Sequence, residues 1–85
     1  MTLTISGQNN VVYRNGTSET HRITIIASGQ ANIELKPRVG LQMLHRESIA
    51  THGGTASLDV PADHRIEIDV LGSQAQIEIS FLGVK

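Results

Sequence analysis

Apolar residues recur at every second position along most of the chain, and clusters of Gly, Asn and Ser interrupt them. That period puts one face of each segment in a core and predicts half-buried strands joined by tight turns. Leu3 and Ile5 predict a short first strand ending at Ser6-Gly7. Val11 to Tyr13 predicts a second, ending at the Asn15-Gly16 turn signal. Ile23, Ile25 and Ala27 come next, then Ala31, Ile33 and Leu35 before Pro37, which has no N–H to give to a ladder. From Gly40 to Ala50 the pattern serves two readings. Leu41, Met43 and Leu44 suit a strand over about 41–46, the reading we adopt, while Leu41, Leu44 and Ser48 suit one face of a helix. His52-Gly53-Gly54 reads as a loop. Ala56, Leu58 and Val60 then alternate up to Pro61, followed by Ile66, Ile68 and Val70, and by Ala75, Ile77, Ile79 and Phe81, the strongest strand signal in the chain.

Two stretches of this pattern also match in their polar residues. His21 to Leu35 aligns with His64 to Ile79 when Ser73 is treated as an insertion. The identical pairs are His21/His64, Arg22/Arg65, Ile23/Ile66, Ile25/Ile68, Gly29/Gly72, Gln30/Gln74, Ala31/Ala75, Ile33/Ile77 and Glu34/Glu78, nine of fifteen positions. The pleat demands alternating apolar residues, but it does not demand the His-Arg and Gln-Ala pairs. The expectation is an all-β fold, a small antiparallel β-sandwich or barrel, with an internal pseudo-two-fold duplication of a hairpin unit. The chain forms one domain, 1–85, whose repeat halves are about 1–42 and 43–85. In this reading Ile25 pairs with Ile33 and Ile68 with Ile77. On the outer faces Arg22 then lies opposite Lys36, Thr24 opposite Glu34, Glu67 opposite Glu78 and Asp69 opposite Gln76. Like charges facing one another ask for something else to meet them. Arg22 and Lys36 on one hairpin and Glu67 and Glu78 on the other are complementary and are candidates to meet between subunits, although the reading we prefer is side chains splayed into water, since exposed pairs are worth little.

Composition narrows the function classes. A chain of 85 residues has a small core, and small domains are commonly helped by disulfides, metals or oligomerisation. There is no cysteine, and the only aromatic residues are Tyr13 and Phe81, which leaves oligomerisation as the expected supplement. Seven Lys and Arg against eight Asp and Glu give a net charge of −1, without the basic footprint of a nucleic-acid binder. Met1 to Gly7 has neither the basic region nor the apolar run of a signal peptide, and no stretch is apolar enough to span a membrane. A soluble protein made in the cytoplasm is expected, with no membrane partner.

Candidate chemistry is sparse. His21, His45, His52 and His64 are numerous for this length, but none is spaced like a ligand pair on one element, and no metal or other cofactor is expected. His21 and His64 fit better as equivalent positions capping the apolar face, and His52 as a loop residue. No serine sits in a nucleophile elbow, and Gly53-Gly54-Thr55 lacks the lysine and following helix of a phosphate loop. An enzyme is not expected. Tyr13-Arg14-Asn15-Gly16 is a candidate contact, but one ring is not a stacking platform, and a Tyr ahead of an Asn-Gly turn is more often a strand-end residue packing its ring on the core.

These readings leave an interaction module that self-associates and docks on a larger assembly. Its candidate interaction residues are Tyr13, Arg14, Arg22, Lys36, His52, Glu67 and Glu78, and its contact segments Met1 to Tyr13 and Glu47 to Thr55. In size and texture it resembles the small β-rich accessory proteins of bacteriophage particles that decorate capsids or sit at tail junctions. The resemblance implies a virion-incorporated homo-oligomer on a capsid or tail scaffold. The alternative is a small module holding a sugar, an anion or a target enzyme in the loops Tyr13 to Thr17 and Thr51 to Thr55.

Overall fold

A computed structural model of the chain describes residues 1–40, 42–49 and 54–85. Eight strands follow one another: β1 (Thr2–Ile5), β2 (Asn10–Asn15), β3 (His21–Ala27), β4 (Ala31–Pro37), β5 (His45–Ile49), β6 (Gly54–Val60), β7 (His64–Val70) and β8 (Ala75–Val84). They form two four-stranded antiparallel sheets, ordered β1-β8-β3-β6 and β2-β7-β4-β5. Strand 1 lies beside 8, 2 beside 7, 3 beside 6 and 4 beside 5, as when a long folded ribbon is wrapped into two layers. This is the strand order of an eight-stranded jelly roll.

Alternation explains the packing. Ile23, Ile25, Ala27, Ala56, Leu58, Val60, Ala75, Ile77 and Ile79 of the first sheet are buried against Val12, Ala31, Ile33, Leu35, Ile49, Ile66, Ile68 and Val70 of the second, with Leu3, Ile5 and Tyr13 at the margin. The fold is thus a sandwich rather than a barrel, and its core is aliphatic as the composition requires. Among the described residues no helix is long and apolar enough to cross a membrane.

The expected hairpins are not formed. β3 pairs with β6 and β8, while β4 pairs with β5 and β7, so Ser28 to Gln30 carries the chain from one sheet to the other, and Leu71 to Gln74 carries it back. Alternation fixes which face of a strand is buried and says nothing of its partner. Two strands facing one another across the core obey the same rule as two neighbours in one sheet. The corners are tied together: Ser28 N–H donates to Gln76 O at 3.0 Å, Gln76 N–H donates to Ser28 Oγ at 3.0 Å, and Leu71 N–H donates to Gln30 O at 3.0 Å. Gly29 is required at this corner, because a Cβ there would lie 2.9 Å from Ala75 Cβ, whereas at Gly72 nothing stands within 4 Å.

The strand pairing is unchanged when every strand is renumbered by four positions, but that belongs to the jelly-roll order itself and does not establish a duplicated sequence. The registers differ: Ile25 faces Ile79, yet Ile68 faces Ile33 and not Leu35, the residue aligned with Ile79. The strand expected over about 41–46 is β5, His45–Ile49, and it starts later because Leu44 is still in the connection, its N–H donating to Leu35 O at 2.8 Å. The loop expected at His52-Gly53 lies outside the described residues, and Gly54 already begins β6.

Candidate functional site

The outer face of the second sheet carries a concentration of charge in ordered rows. Arg14, Arg65 and Lys36 stand side by side on β2, β7 and β4; the next row holds Val11, Glu67, Glu34 and Arg46. Like charges therefore sit directly opposite each other, Glu34 against Glu67 and Lys36 against Arg65, an arrangement that is unfavourable unless diagonal neighbours neutralise it. They do. Lys36 Nζ lies 3.1 Å from Glu34 Oε2 and 3.1 Å from Glu67 Oε1, Arg65 Nε donates to Glu67 Oε2 at 2.5 Å, and Arg46 Nε is 3.8 Å from Glu34. Arg65 also donates to the carbonyls of Pro37 and Gly40, fastening the connection after β4 to this end of the sheet.

The four central side chains are nearly buried, and their ionisation follows. Hydrogen bonds to Glu34 and then Glu67 hold the Lys36 ammonium above the usual lysine range. Burial pushes the Glu67 carboxyl up, but the hydrogen bonds from Arg65 and Lys36 outweigh it and leave the group below its usual range.

These contacts revise the sequence reading of the charges. Arg22 is opposite Asp59, at 3.7 Å, and not opposite Lys36. Thr24 faces Ser57 and Ser80, and Glu67 faces Glu34 and Val11. Glu78 is on the other sheet, between Thr2 and Ile26, and Asp69 faces Asn32. Lys36 and Glu67, only candidates to meet between subunits, meet within one chain. His52 lies outside the described residues.

A second cluster closes the end of the sandwich where β2 turns into β3. Asn15 is fully buried, and its Nδ2 donates to Glu19 O at 2.7 Å and Val60 O at 2.9 Å. The Thr17 hydroxyl donates to Asn15 Oδ1 at 2.6 Å and is hydrogen-bonded to His21 Nε2 at 3.0 Å, and His21 Nδ1 in turn is hydrogen-bonded to Tyr13 Oη at 2.8 Å. The ring of His21 sits between Tyr13 and Phe81 in edge contacts of 6.1 and 5.1 Å. Tyr13 is thus a packed strand-end residue, and burial holds its phenol above the usual range.

Among the described residues no three His, Asp or Glu side chains are grouped to hold a metal ion. No family model, curated protein or solved structure matches the chain.

The feature that sequence reading passed over is the far end of β8. β1 lies along Ala75 to Glu78, and Met1 continues it to Ile79 through a pair of backbone hydrogen bonds of 3.1 and 2.9 Å. Beyond that point Ser80 to Val84 has β3 on one side and, among the described residues, no strand on the other. Phe81, Leu82 and Val84 are 56%, 55% and 55% exposed there, beside Met1 at 69%. A signal was present in the sequence. Leu82 breaks the alternation that Ala75, Ile77, Ile79 and Phe81 obey, and it falls where the β3–β8 register slips between Arg22 and Ile23.

Proposed function

We propose that the protein is a non-enzymatic assembly module that pairs with a second copy of itself along Ser80 to Val84 of β8 and docks in that form on a larger protein scaffold. One observation carries the reading: a strand segment with an unpaired edge that also exposes three large apolar side chains. Such an edge is a template for another strand, and natural proteins usually blunt it with charge, proline or a covering loop. Among the described residues this segment has none of these before Lys85, and Lys85 turns to Asp59, 2.6 Å away. Antiparallel pairing of two copies about a two-fold axis satisfies the backbone of both and covers the apolar side chains in the same step.

The aliphatic core supports the reading further, because a chain this short gains from burying additional apolar surface between copies. A capsid or tail structure of a bacteriophage is the setting we favour for the docked form. Size and texture point that way, and the jelly roll is a recurrent fold of viral coat proteins, which is analogy and not site chemistry. Absolute mass in solution, measured by light scattering over a concentration series, tests the self-association. A dimer or a larger closed form is expected, and a mass of 9.2 kDa at every concentration would overturn it.

A further inference from the structure

Six of the seven Lys and Arg side chains have a carboxylate within ion-pair distance: Arg22 and Lys85 at Asp59, Lys36 at Glu34 and Glu67, Arg38 at Asp63, Arg46 at Glu34, and Arg65 at Glu67. Arg14 is the exception among the described residues. It is exposed at the end of β2, directly opposite Arg65, in a row that continues to Lys36. Glu67 and Glu34 neutralise the other two cations of that row, and among the described residues no carboxylate answers Arg14.

Arg14 lines an open groove of about 570 Å³ with Pro37, Arg38, Val39, Asp63 and His64. Three separate elements meet there, and backbone hydrogen bonds hold them in place: Arg38 N–H donates to Asp63 O at 2.8 Å, and Asp63 N–H donates to Asn15 O at 3.0 Å. Asp63 itself adopts the left-handed region, with φ 58°, a conformation an aspartate tolerates in a tight turn. His64 Nδ1 donates to Ala62 O at 2.7 Å, since a carbonyl can only accept, and that leaves Nε2 as the free ring nitrogen. The one anion of the groove, Asp63, is 79% exposed and meets Arg38 only at 3.7 Å.

We propose that this groove binds a phosphate-type oxyanion between Arg14 and Arg38, with His64 at its margin. A multiply charged anion with several acceptor oxygens can engage two guanidinium groups at once, whereas a single carboxylate is already matched by one. The volume exceeds what an anion alone fills and lies in the range of small-molecule sites, so exposed Val39 and half-buried Pro37 offer an apolar wall to an organic body carrying the phosphate. The proposal stands apart from self-association through β8.

The test is an NMR titration of the full chain with inorganic phosphate and with glucose 6-phosphate, against sodium chloride at matched ionic strength. Saturable shifts are expected at the Arg14 side-chain Nε–H and at the Arg38 and His64 amides. Arg14→Gln should weaken binding at least about tenfold while the rest of the spectrum stays folded, and Arg22→Gln should leave it unchanged. Tighter binding of glucose 6-phosphate assigns an ester, and equal binding assigns the free anion; both support the site. Shifts that follow ionic strength alone, or equal binding by Arg14→Gln, overturn it. If Arg14→Gln changes the mass in solution without any phosphate binding by the parent chain, Arg14 serves the interface and the anion site is refuted.

Discussion

Glu34 and Glu67 lie directly opposite each other on adjacent strands of one sheet, and the ammonium of Lys36 stands 3.1 Å from a carboxylate oxygen of each. The shared cation, with Arg65 on Glu67 and Arg46 beside Glu34, thus licenses a like-charge pair in a nearly buried place. Such a cluster holds the register of β4 against β7, because sliding by one residue sends all these charges into the core.

Lys36→Ala should be among the most damaging substitutions outside the core. It leaves two facing carboxylates beside Arg65 and Arg46, and we expect a loss of about 3 kcal/mol, the scale of removing one partner from a buried ion pair. Urea denaturation measures it. Glu34→Gln in the same background should restore part of the loss, and a loss below about 1 kcal/mol would mean that the cluster behaves as an ordinary exposed pair.

The same cluster sets the pH range of stability. The folded Glu67 carboxyl titrates below its ordinary value of 4.5, so its contribution is complete above that value and is lost as pH falls through the lowered one. Lys36 titrates above its ordinary value of 10.5, so its contribution is complete below that and is lost as pH rises through the raised one. Melting temperature against pH should therefore show an acid limb that Glu67→Gln flattens and an alkaline limb that Lys36→Met reduces, the remainder resting on the half-buried Tyr13 phenol. An acid limb identical in Glu67→Gln and the parent would assign the loss to other carboxylates.

Gly29 and Gly72 align in the sequence but are not equivalent in the fold. Gly29→Ala forces a methyl group into Ala75 and should destabilise by roughly 1–3 kcal/mol, the cost of overpacking, whereas Gly72→Ala meets open space and should change stability little. Thermal melts of the two variants make the comparison. Equal effects would contradict the close approach of the β3–β4 corner to β8.

Elements that depend on period and punctuation were legible before the structure. The strands around Ile25, Ile33, Leu58, Ile68 and Ile77 follow from alternation, and the Asn15-Gly16 turn from its dipeptide. Partner choice was not legible. Ser28-Gly29-Gln30 reads as a hairpin loop because nothing local distinguishes a turn within a sheet from a corner between sheets. What decides it is Gln76, which captures Ser28 from 48 residues away. The opposition of Glu67 and Glu78 across a hairpin fails for the same reason, because these two residues belong to different sheets. Arg14 was singled out from the turn it precedes, while its companions Arg38 and His64 reach it only through the topology.

The amide of Phe81 gives the most direct test of self-pairing along β8, because hydrogen exchange there reports on the very edge proposed to be covered. Exchange of the Ser80 to Val84 amides is measured at low and high protein concentration, with the β3 amides of the same sheet as an internal reference. The proposed pairing predicts that protection at Phe81 rises with concentration and that Leu82→Lys abolishes the rise. Equal exchange at both concentrations, in a sample whose mass nevertheless shows association, would place the interface elsewhere and contradict it.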